Sequence, residues 1–188
     1  SMTVNATDMV VTNGARVSAN TIQTGNAGAI TLNVNTLEVS SGGRIEGTTS
    51  SNGALVSGIF TNGGVGGTTI VQGLAGAGSR ASSLTIAGAG SGLFSTTSGS
   101  GAGGSITATA NQIDINTGGT VSAASTGSGN AGSVTMTATG PIVIDGGTIS
   151  TSAQTAQGGD ITLTSGDSVT LENNALVSAS SAGPGDAG

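Results

Sequence analysis

Cysteine, histidine, lysine, tyrosine and tryptophan are all missing from this 188-residue chain, and its only aromatic residues are Phe60 and Phe94. Without cysteine there is neither a disulfide framework nor a thiolate metal site. Without histidine and lysine the commonest general acid–base groups are gone. Three arginines against nine carboxylates leave a net charge of −6, so no basic stripe is available for nucleic acid or anionic lipid. No stretch approaches the ~18 apolar residues of a membrane-spanning helix. Nucleic-acid binding, membrane insertion, a metal and a cofactor are therefore not expected.

What the chain does have is repetition. An apolar–any–apolar triplet recurs as Met9-Val10-Val11, Leu37-Glu38-Val39, Leu84-Thr85-Ile86, Ile113-Asp114-Ile115, Ile142-Val143-Ile144 and Val169-Thr170-Leu171, in steps of 28, 47, 29, 29 and 27 residues. Glycine corners such as Gly25-Asn26-Ala27-Gly28 and Gly129-Asn130-Ala131-Gly132 open a second stretch ahead of the triplet. Self-similarity at a fixed period of this size is the mark of a solenoid.

Strand chemistry narrows the choice. In Ile106-Thr107-Ala108-Thr109-Ala110, Val134-Thr135-Met136-Thr137-Ala138 and Ile161-Thr162-Leu163-Thr164 apolar and polar residues alternate, which places one face in a core and the other in water. Helical spacing is absent, and each of the 36 glycines would cost a helix about 1 kcal/mol relative to alanine. The expectation is an all-β, right-handed parallel β-helix of about six rungs of 27–29 residues. Each rung carries three short strands, the third being segments such as Arg44-Ile45-Glu46, Thr120-Val121-Ser122 and Thr148-Ile149-Ser150. The inward ladder reads Ile30, Leu32, Val34, Leu37, Val39 and Ile45 in one rung. It reads Ile106, Ala108, Ala110, Ile113, Ile115 and Val121 in another, and Val134, Met136, Ala138, Ile142, Ile144 and Ile149 in the next.

The chain reads as a single β-helix segment over 1–188. Because Gly185-Asp186-Ala187-Gly188 restarts the corner Gly25-Asn26-Ala27-Gly28, it reads as a fragment of a longer repeat protein. Open strand edges at its ends favour end-to-end self-association.

The cadence G-N-A-G-x-[IV]-T-[LM]-x-[VA], followed by [LI]-x-[VI] and G-G-x-[IV]-S over roughly residues 9–188, resembles the repetitive shafts of filamentous-haemagglutinin-like exoproteins of the two-partner secretion family. The resemblance implies a structural or adhesive shaft, extracellular or at the cell surface of a bacterium. It also implies passage through an outer-membrane transporter as an unfolded chain, with a surface glycan or protein as the eventual contact.

Candidate site residues follow from departures from regularity. The 47-residue step makes 50–82 a decorated rung with two insertions, and long excursions on a regular scaffold often carry recognition. Ile59, Phe60 and Arg80 are its candidate contacts, with a neutral insertion covering apolar rung surface as the plainer reading. Phe94 is expected on a third strand, in the core or stacked beside it. Thr107, Thr109, Thr135, Thr137, Thr162 and Thr164 would stack into two outward columns, an array similar to the ice-binding face of some antifreeze proteins. The plainer account is that threonine suits exposed strands. A carbohydrate-active β-helix is the third reading: Asp145 and Glu172 would stand about 5 Å apart in adjacent rungs, a separation used by retaining glycosidases. Two solvated corner carboxylates, or a cation bridge, account for the same pair. No enzymatic activity is expected.

Overall fold

A computed structural model describes residues 1–22, 25–50 and 63–188. Among them there is no helix, and every strand ladder is parallel, joining a strand to its counterpart one turn later. The result is a β-solenoid of six turns. The turns begin at Met2, Ile30, Thr69, Ile106, Val134 and Ile161, and register passes through them without a slip: Met2 pairs with Ile30, Ile30 with Thr69, Thr69 with Ile106, Ile106 with Val134, and Val134 with Ile161.

Three walls enclose the core. The first two belong to one nine-stranded sheet and the third to a six-stranded sheet. In three turns the first two walls form one continuous strand, Met2–Val11, Ile30–Ser40 and Ile106–Asn116, where separate short strands are expected from the sequence. The bend between walls is a slip in the alternation. In Ile30–Ser40 the residues buried are 30, 32, 34, 37 and 39, so Asn35 and Thr36 both face outward and the inward phase resumes one residue later. In the fifth turn the strand breaks into Val134–Ala138 and Ile142–Asp145 around Gly140-Pro141, where proline has no N–H to give the ladder.

Between the second and third walls the chain turns through residues in the left-handed region: Asn13 and Gly14 (φ 54° and 73°), Ser41 and Gly42 (50° and 80°), and Thr117 and Gly118 (48° and 88°). Asn and Gly tolerate that conformation best, which is why the corner composition repeats.

The inward ladders of the second, fourth and fifth turns are buried as read from the sequence, from Ile30 to Ile45, Ile106 to Val121 and Val134 to Ile149. Burial at roughly 25 cal/mol per Å² of apolar surface is the main stabilising term, and each turn's aliphatic groups meet only those of adjacent turns. In the third turn Leu93 fills the third-wall core position, and Phe94 points outward, half-buried.

After the third wall the chain leaves the prism in a loop and comes back. Its base is closed by backbone bonds from Gly28 N to Ala19 O (2.8 Å), Gly104 N to Ser95 O (2.7 Å), Gly132 N to Ala123 O (2.7 Å) and Gly159 N to Thr151 O (2.9 Å). Inside these loops runs a second ladder, Thr49, Thr97, Ser125 and Ala153, polar at its first three positions, linked from turn to turn by parallel bridges and buried. Thr49 Oγ1 donates to Gly64 O at 2.8 Å and lies 2.9 Å from Thr97 Oγ1.

The decorated turn keeps this register. Ile30 pairs with Thr69, a step of 39, and Leu37 pairs with Leu84, a step of 47, against 28 for Met2 and Ile30. Eleven extra residues therefore precede Thr69 and eight more, residues 73–80, lie between its first two walls.

Candidate functional site

The first wall carries two outward columns set by strand pairing. One reads Thr3, Thr31, Ile70, Thr107, Thr135, Thr162; the other reads Asn5, Asn33, Gln72, Thr109, Thr137, Thr164. The six threonines expected to stack do so across the fourth to sixth turns, and Ile70 and Gln72 of the decorated turn end the pattern. The two halves of the wall differ chemically. In the first three turns the amides bond one another, Asn33 Nδ2 donating to Asn5 Oδ1 at 2.7 Å and Gln72 Nε2 to Asn33 Oδ1 at 2.9 Å. The six threonine hydroxyls make no such bond among the described residues. Thr162 and Thr164 are exposed and the other four half-buried.

On the second wall the carboxylates are spread out. Glu38 and Asp114 share a column two turns apart, with Thr85 between them, and each is engaged within its own turn. Ser40 Oγ donates to Glu38 at 2.8 Å and Gln112 Nε2 to Asp114 at 2.8 Å. Asp145 and Glu172 are direct ladder partners, as their spacing suggests. Asn173 Nδ2 donates to Asp145 Oδ1 at 2.6 Å. Among the described residues no three His, Cys, Asp or Glu side chains gather as a metal site would need.

The third wall holds a cluster that sequence reasoning missed. Glu46, 3% exposed, accepts from Arg16 Nη1 at 3.3 Å, from Asn20 Nδ2 at 3.1 Å and from Arg44 Nε. The Arg44 guanidinium lies 3.8 Å from the centre of the Phe94 ring, a cation–π contact that joins the second turn to the third. Burial pushes the Glu46 carboxyl up, but hydrogen bonds from Arg44 and Asn20 and the charges of Arg44 and Arg16 outweigh it and hold the group below its ordinary value. The signal in the sequence was the 28-residue spacing of Arg16 and Arg44, which puts both in one column beside Glu46. Farther along this wall serines satisfy each other: Ser150 and Ser152 stand 3.0 Å apart and Ser180 Oγ donates to Ser152 Oγ at 2.9 Å.

Of the residues expected in the decorated turn, Arg80 is exposed on the loop of residues 73–80, and Ile59 and Phe60 lie outside the described residues. An open axial groove of about 590 Å³ runs beside the first wall between the returning loops (Asn130, Gln157, Asp186) and the outer corner (Ser105, Ser133, Asp160). Along its loop side Asn130 Nδ2 donates to Gln157 Oε1 of the next turn at 3.3 Å.

No protein-family model, curated protein or solved structure matches this chain.

Proposed function

We propose that the chain is a length of structural or adhesive shaft from a secreted or cell-surface bacterial exoprotein. The observation that supports this most is the unbroken register of six turns, kept even across the 47-residue step. A shaft has to transmit position along its length, and a solenoid does so through identical contacts between neighbours. The repeat cadence, with its resemblance to filamentous-haemagglutinin-like exoproteins, points the same way. A chain with no cysteine needs no disulfide chemistry after export, so it could thread unfolded through an outer-membrane transporter and wind up turn by turn outside. A distal region would then meet a surface glycan or protein, while this segment holds it at a distance.

The experiment is protease and antibody access on intact bacterial cells that express the native gene. Labelling and cleavage of this segment without lysis are expected. Protection in intact cells, lost only on lysis, would overturn the reading.

A further inference from the structure

We propose that the threonine grid of the fourth to sixth turns is an ice-binding face. The inference is independent of the shaft role. It begins with register: Thr107, Thr135 and Thr162 are ladder partners, as are Thr109, Thr137 and Thr164, so six identical side chains stand at the nodes of a rectangular lattice. Its spacings are about 4.8 Å along the axis and about 6.6 Å along each strand.

Each node is fixed. Strand Ile106–Asn116 is paired on both sides and Val134–Ala138 is paired on both sides. Beneath them Ile106, Ala108, Val134 and Met136 are fully buried. The β-branch restricts χ1, so methyl and hydroxyl recur with the same period as the backbone.

The hydroxyls are also unspent. Serines on the third wall bond to serines, and the amides at the other end of the Thr109 column bond to amides. The six threonines have no protein partner among the described residues, so their hydrogen bonds go outward. Neither column contains a charged residue.

An occupant that engages all six nodes must itself repeat in two dimensions. A single glycan strand repeats in one dimension only, and an irregular protein surface in none. An ionic mineral would call for charge on the grid. A crystalline polysaccharide is held by stacking on aromatic planes, and the columns contain none. Crystalline water fits: hydroxyls join the lattice as donors and acceptors, and methyl groups seat in its hollows.

The test is ice growth in a solution of the 188-residue chain, read as crystal shape and as the gap between melting and freezing points. Faceted crystals and a measurable gap are expected. Both should be lost in Thr135→Tyr, at the middle of one column, and in Thr162→Tyr, at its exposed end. Ser150→Tyr on the third wall should keep both, and circular dichroism should report the same strand content in all variants. Round, unshaped crystals with the unmodified chain would overturn the proposal. So would equal loss in Ser150→Tyr, or binding to crystalline cellulose or chitin that disappears with Thr135→Tyr while ice growth is unaffected.

Discussion

At Ile115 the side chain is fully buried between its ladder partners Ile86 and Ile144, while Val143, one position away on the next turn, is half-exposed beside Asp114. Ile115→Asp would place an unpaired charge in an aliphatic ladder, and a loss of more than about 4 kcal/mol is expected. Val143→Thr should stay within about 0.5 kcal/mol. Urea unfolding measures both, and reversed tolerances would mean a strand register wrong by one residue. Glu46 makes a prediction in pH. Its carboxyl is held below the ordinary value of 4.5, so the native state favours the ionised form. The stabilisation is present above the ordinary value and drains away as pH falls through the folded one. Thermal melts across that acid limb should show Glu46→Gln less stable than the parent near neutrality and the two converging in acid. A gap that widened as pH fell would refute it.

Strands and corners were legible to different depths. The triplets reported the second wall directly, because Ile113, Ile115, Ile142 and Ile144 alternate with outward neighbours and all four are buried. Less visible was the continuity of Ile30–Ser40, because the paired outward residues Asn35 and Thr36 interrupt the period-two pattern and look like a loop. The polar ladder of Thr49, Thr97 and Ser125 gave no hydrophobic signal at all: Thr49 meets a carbonyl and the Thr97 hydroxyl, and the buried Ser125 hydroxyl has no hydrogen-bond partner among the described residues. Leu93 and Phe94 show a further limit: both are large and apolar, and only the ladder with Ile45 and Val121 decides which one points inward. At the loop bases glycine is required by space. A Cβ on Gly132 would stand 1.8 Å from Gly104 O and 2.7 Å from Gly104 C. Both atoms belong to the backbone of the preceding turn, held there by the bond from Gly104 N to Ser95 O, so neither can yield cheaply. Gly132→Ala is expected to cost more than about 2 kcal/mol, read as a lower urea midpoint, with strand content falling first at the loop-closing end of the turn.

For the molecule as a whole, nearest-neighbour construction means that turns are interchangeable units. Ile106 pairs with Val134, so excising residues 106–133 joins Ser105 to Val134 and should leave a five-turn solenoid in the same register. Far-UV circular dichroism and gel filtration should report a folded, smaller particle with a modestly lower urea midpoint. Excising 106–119 instead would set a third-wall strand where the first wall belongs, and that variant should not fold. The architecture was therefore readable from the period together with the strand alternation, including the number of inserted residues. The charged cluster on the third wall was not, because Arg16, Glu46 and Phe94 come from three turns and meet only once the insertions have been placed.

The uneven third turn also has a mechanical meaning. Bonds between turns run along the axis, so tension applied through the two ends loads one interface at a time, and the chain pays out as thread leaves a spool. A regular turn of 28 residues releases about 100 Å of contour, whereas the two turns that share the insertions, 39 residues from Ile30 to Thr69 and 37 from Thr69 to Ile106, release about 140 Å and about 130 Å. A rod built this way lengthens under load in discrete increments, and its decorated turn is a built-in reserve of slack.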